Sequence, residues 1–230
     1  MRPAPAHLHY DSGGRKEYCL SFGDATASRS ILIVPPLFDE MNRVRRMLVE
    51  VMRSMADRGV RTLIADLPGC NESVADLAAQ TLESWQDAVE EAVRQLGATH
   101  IASMRGGCLV DHRPGLPHWR LAPVGGSSLL KAMLRTRIAA EKESGNTVTI
   151  EQLMAKARSG PIELSGNMLG VGMLQSLDKA EAVGVDNLCE VKLADIDGSP
   201  LWLRAEPAEN ADMSSAIAAD LDRWSASCGG

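Results

Sequence analysis

The chain has 230 residues, 30 acidic against 24 basic side chains, and only 3% aromatic residues. One α/β domain of this length buries about 70–75% of the surface its unfolded form exposes, so it needs no disulfide or metal staple. The net charge of −6 excludes the basic footprint of a nucleic-acid-binding protein.

Residues 1–18 (MRPAPAHLHYDSGGRKEY) lack the apolar centre of a signal peptide, and no later run reaches membrane-spanning length. The first clear element is residues 31–36 (ILIVPP), an apolar run closed by two prolines, as in a strand covered on both faces. Met41, Val44, Met47, Leu48, Val51, Met52 and Met55 then recur at helical spacing, with Asn42, Arg46 and Arg53 opposite and Gly59 as the stop. Residues 60–66 (VRTLIAD) read as a second buried strand. Leu82, Trp85, Val89, Val93 and Leu96 form the stripe of a second helix, for which Ser84 and Asp87 have capping-box spacing and Gly97 is the stop.

Residues 100–103 (HIAS) and 118–124 (HWRLAPV) supply two more strands. This alternation predicts right-handed crossovers and a mostly parallel, doubly wound α/β sheet, whose ligands bind beyond the carboxyl ends of the strands. From 127 to 184 the text turns helical in three pieces, which together predict a lid. The first piece carries Leu130, Met133, Leu134 and Ile138, with Ser127 or Ser128 as cap. The second has Thr149 and Gln152 at capping-box spacing, and the third is residues 167–182. The methionine-rich helices are candidates for a homodimer interface or for core. Residues 189–196 and 199–207 read as strands, and 214–224 as a closing helix. Cys19, Cys70, Cys108, Cys189 and Cys228 follow no ligand pattern, so free thiols in a reducing, cytoplasmic setting are expected, with neither a metal nor a cofactor motif.

Three turns carry candidate chemistry. The first, residues 35–47, joins Pro35 and Pro36 to Asp39, Glu40, Asn42, Arg43, Arg45 and Arg46; acidic residues there also suit a helix N-terminus. The second, residues 66–73 (DLPGCNES), holds Asn71 and two candidate nucleophiles, Cys70 and Ser73, within what reads mainly as a structural turn. The third, SMRGG at 103–107, has the small flanks of a G-x-S-x-G nucleophile elbow but carries Arg105 where the serine belongs. Ser103 lies two positions early, on the strand. Arg105 with the N–H groups of Gly106 and Gly107 could hold an anion, or Arg105 could tether the loops by pairing with Glu40 or Glu72. All five histidines (His7, His9, His100, His112, His118) precede residue 119, whereas the triad order on such a sheet needs a late one. Two of the three triad members are therefore missing.

PPLFDEMNRVRRM, DLPGCNES, SMRGGCLV and APVGGSSLLKAMLRTRIAAE, within residues 31–205, together resemble the α/β-hydrolase superfamily, and within it the hydrolase 2 group associated with exosortase A systems. Ser103 stands where that group more usually has Gly. The resemblance implies an α/β-hydrolase-like fold with a helical lid, in a setting of exosortase-linked protein sorting and exopolysaccharide production. It also implies an acyl, lipid-carrier or glycan-related ligand. Two functions follow as expectations. One is a pseudoenzyme that binds a small anionic ligand or a partner protein through Arg105, with Glu40, Asn42, Arg45, Arg46, Asn71, Gly106 and Gly107 around it. The other is a divergent esterase, thioesterase or acyltransferase using Cys70, Ser73 or Ser103, with Arg105 on the oxyanion. Glu206, after the last apparent strand, is a further acidic group whose place relative to that edge the sequence leaves open.

Overall fold

The N-terminal segment, outside the elements read above, forms an antiparallel hairpin of β1 (Ala6–Ser12) and β2 (Arg15–Phe22). Its turn is Gly13–Gly14, both at positive φ, the glycine pair that a two-residue hairpin favours. The computed structural model describes residues 3–196, 198–204, 206–207 and 209–228. β3 (Ser30–Val34), α1 (Asp39–Asp57), β4 (Arg61–Ala65), α2 (Leu82–Leu96), β5 (His100–Met104) and β6 (His118–Leu121) then alternate as expected. The seven-stranded sheet runs β1-β2-β4-β3-β5-β6-β9, where β9 is Leu188–Val191 beyond the lid. The five strands from β4 to β9 are parallel, and β2 joins β4 antiparallel.

Alternation along the buried strands divides the core into two layers. Ile31 and Ile33 face α1 and the C-terminal helix α6 (Ala211–Ser227), packing with Met47, Val51, Trp119 and Trp224. Leu32 and Val34 face the opposite way, onto Trp85, Val89 and the lid. Gly97 ends α2 with φ 70°, but the cap at its start is Thr81, not the Ser84–Asp87 pair. Thr81 and Ser84 bond each other's backbone N–H groups reciprocally.

The lid comprises α3 (Gly126–Glu143), α4 (Ile150–Ser159), a small hairpin of β7 (Ile162–Leu164) and β8 (Asn167–Leu169), and α5 (Val171–Lys179). The Thr149–Gln152 capping box is present. α3 starts from Gly125, ahead of Ser127 and Ser128, with Gly126 pressed against the backbone of Leu177. The helix expected over 167–182 is shorter, because Ser165 and Gly166 both take positive φ and turn the chain into β8. Met133 and Met173 are buried in the chain's own core, as are Leu130, Leu134, Leu174 and Leu177. The lid's apolar stripe is therefore covered within one chain.

Beyond the lid, the expected strand at 189–196 stops at Val191. The one at 199–207 is instead a single 3-10 turn at Leu201–Leu203, with Ala205 outside the described residues. Among the described residues, no helix is long and apolar enough to cross a membrane.

Candidate functional site

The turns leaving β3, β4, β5 and β6 all lie at the carboxyl edge of the parallel sheet. Each contains a non-glycine residue at positive φ: Phe38 (58°), Asn71 (49°), Arg105 (53°) and Ala122 (47°). Such conformations are costly for residues with a Cβ, and they persist where surrounding contacts hold them. Arg105 therefore has the backbone geometry of an elbow apex.

Its side chain is engaged at all three nitrogens. Nε and Nη2 donate to the two carboxylate oxygens of Glu40 at 3.2 and 3.1 Å, and Nη1 to the Ala122 carbonyl at 3.4 Å. The guanidinium lies 5.1 Å from the ring centre of Trp202. Trp202 is held in turn by Arg43, which donates to its carbonyl at 2.9 Å and pairs with Asp39 at 2.7 Å. One arginine thus ties together the turns after β3, β5 and β6 and the segment preceding α6. Glu40, in the first turn of α1, is buried, and burial pushes its carboxyl above the ordinary range against the opposing pull of Arg105. Of the two expected tethers, Glu40 is the partner.

The two glycines of the elbow are closely packed where a side chain would stand. A Cβ at Gly106 would meet Leu129 Cδ1 at 2.6 Å, and one at Gly107 would meet the Val34 and Pro35 carbonyl oxygens at 2.5 Å. They follow Arg105 in a five-residue 3-10 turn, Arg105–Leu109, under α3.

The candidate nucleophiles are likewise occupied or enclosed. Ser103 is buried within β5 between Val34 and Arg120 of the neighbouring strands. Ser73 Oγ accepts from the N–H groups of Gly69 (2.8 Å) and Ala75 (3.2 Å), which makes it a turn former. Burial, with help from Asp66 and Glu17, pushes the Cys70 thiol up to about 12, so it stays protonated at neutral pH. Asn71 bridges Asp66 (2.9 Å) and Arg45 (3.2 Å). Arg46 is exposed and paired with Glu209; Glu206 is exposed. The sequence-derived site thus separates into a closed Arg105–Glu40 centre and outlying arginines.

The histidines fall at the wrong end. His100 and His118 begin β5 and β6, at the amino edge of the parallel sheet. His118 is bonded through both ring nitrogens to the carbonyls of Leu116 (2.7 Å) and Asp111 (2.8 Å). His7 is hydrogen-bonded to Tyr18 in the N-terminal hairpin.

What does open at the carboxyl edge is a cavity of about 210 Å³ between the turns after β3 and β4 and the tip of the β7–β8 hairpin. Phe38, Met41, Leu67, Leu77 and Trp85 make its apolar wall, and Asn42, Cys70, Asn71 and Asn167 its polar positions. A larger cavity of about 450 Å³ lies between α1 and α6, away from the strand ends, among charged surface residues. Trp202, Ala122 and Asn167 were not among the candidates read from the sequence. Trp202 and Ala122 act through a cation–π contact and a carbonyl, for which spacing offers no signal. The Ser-Gly dipeptide at 165–166 does mark the turn that delivers Asn167.

Neither a family model nor a curated protein matches the chain. Among solved structures, a predicted CIB-like hydrolase from Thermoplasma acidophilum aligns over 96% of this chain and 98% of its own, at 11% identity and a TM-score of 0.51. The chain has the α/β-hydrolase fold. Shorter overlaps link it to an epoxide hydrolase from Vigna radiata (53% of this chain, 14% identity, TM-score 0.43) and to a proline iminopeptidase-related protein from Thermus thermophilus (60%, 16%, 0.45). The chain spans 40% and 51% of those two proteins. At such identities the likeness is one of fold, and the α/β-hydrolase fold hosts many unrelated functions.

Proposed function

We propose that this α/β-hydrolase-fold protein is a non-catalytic ligand binder. Its elbow serves as a structural tether, and its ligand, of acyl type, enters the cavity between the β3 and β4 turns. The observation that carries this reading is the two-pronged Arg105–Glu40 pair at the apex where a serine hydrolase holds its nucleophile. An arginine already matched by a carboxylate, a carbonyl and an indole face has little left for an anion, so the anion-binding role of Arg105 gives way to the tether. The resemblance to the exosortase-associated group supports a ligand drawn from acyl, lipid-carrier or glycan-related metabolism.

The test is a fluorophosphonate probe followed by intact-mass measurement, alongside a known serine hydrolase. No adduct is expected. A stoichiometric adduct would overturn the reading in favour of a divergent esterase, thioesterase or acyltransferase, and mapping it would name the nucleophile.

A further inference from the structure

The chemistry of the 210 Å³ cavity narrows the ligand further than its position does, given the non-catalytic reading above. Among the described residues, no charged side chain lines it. Its polar groups are amides and one thiol. Asn71 is already engaged on both sides, by Asp66 and Arg45, and the Trp85 indole N–H donates to the Pro68 carbonyl at 2.9 Å. Asn167 donates to the Ser165 carbonyl at 2.9 Å, which leaves its Oδ1 as an acceptor. Asn42 is exposed at the start of α1 and has no hydrogen-bonded partner among the described residues. The available partners are therefore two neutral carboxamides at the mouth, above an apolar wall of Phe38, Met41, Leu67, Leu77 and Trp85.

We infer that this cavity binds a small uncharged primary amide, with its chain on the Leu77–Trp85 wall, its NH2 group donating to Asn167 Oδ1 and its carbonyl accepting from the Asn42 amide. An ionised head would lose its hydration among lining side chains that carry no charge, which is the costly case. Beyond the lining the charges are mixed: Asp66 sits between two lining residues, Ala65 and Leu67, and Arg45 donates to the lining Asn71 at 3.2 Å. Size limits the chain as well, since the cavity equals about seven waters at ~30 Å³ each.

The experiment compares hexanamide, hexanoate and hexylamine, equal in chain and different in charge, by calorimetric titration of the full chain at pH 8. Hexanamide should bind at a single site, the two ions at least tenfold more weakly, and Asn167→Ala should weaken hexanamide several-fold. A measurement on the unaltered protein guards against a misfolded variant. Hexanamide should slow amide hydrogen exchange at least threefold in the turn 67–71 and the hairpin tip 165–167, and leave α6 unaffected. Equal or tighter binding of either ion, or unslowed exchange at those two turns, overturns the inference and leaves the tether reading intact, because that reading stands or falls on the fluorophosphonate result. Hexanoate binding that Arg105→Met abolishes would overturn both.

Discussion

Arg105 and Glu40 enclose opposite charges in a site that is mostly shielded from water, with side chains 16% and 9% exposed. Breaking such a pair from one side leaves an uncompensated charge, whereas replacing both partners with apolar groups removes the problem. Arg105→Met should therefore lower unfolding stability by about 3 kcal/mol in urea titrations, and the double variant Arg105→Met/Glu40→Leu should recover most of it. A single-variant loss of about 0.5 kcal/mol, the size of an exposed pair, would mean that the tether is ornamental.

Asp66, buried at the end of β4, has a different signature. Burial raises its carboxyl above the ordinary 3.8, although the Glu72 N–H and the Asn71 amide pull the other way. Between the ordinary and the raised value the folded chain holds more protons than the unfolded one. The Asp66 contribution is thus full at low pH and fades as pH rises through the raised value. Relative to the natural protein, Asp66→Asn should gain stability as pH rises above the ordinary carboxylate value. A flat difference across that rise would refute the assignment.

At the level of elements, the strands and helices of the central sheet were readable because their apolar residues repeat with the periods of buried strands and one-sided helices. β3, α1, β4, α2 and β5 follow that text closely. The departures have local causes. At the start of α2, Thr81 and Ser84 form the reciprocal cap, while Asp87 turns outward to pair with Arg113. Thr81→Ala should accordingly cost about 1 kcal/mol in thermal or urea unfolding, and Asp87→Ala no more than ~0.5 kcal/mol. The N-terminal hairpin and the lid hairpin were marked by Gly13–Gly14 and Ser165–Gly166, dipeptides that outweigh the weak periodicity around them. Residues 199–207 alternate like a strand, yet Leu201 and Trp202 are pulled inward as a turn because Trp202 covers Arg105, a long-range contact that local text does not encode. Of the site, the arginine at the apex and its two possible carboxylates were legible; which carboxylate it chose depended on how α1 sits against β5.

For the molecule as a whole, the lid's return to the sheet depends on a second buried arginine. Arg120, in β6, donates to both Asp111 carboxylate oxygens, at 2.9 and 2.5 Å, and to the Val183 carbonyl at 2.7 Å, and both ionic side chains are almost wholly enclosed. It thereby joins the loop before β6, the strand itself and the segment leading from α5 to β9. Arg120→Met should destabilise the chain by about 3–5 kcal/mol, and protease susceptibility should rise at the α5–β9 connection ahead of global unfolding. The histidines at the amino ends of β5 and β6 have a consequence for laboratory evolution. A serine installed at position 105 would meet the Glu40 carboxylate but neither of these imidazoles, since they lie at the opposite ends of the strands. Selection for esterase activity would have to begin in the segment after β9, where an imidazole could approach the elbow, before any change at the apex yielded a gain. The shortest mutational path to a hydrolase from this chain thus starts far in sequence from the residue that most visibly sets it apart.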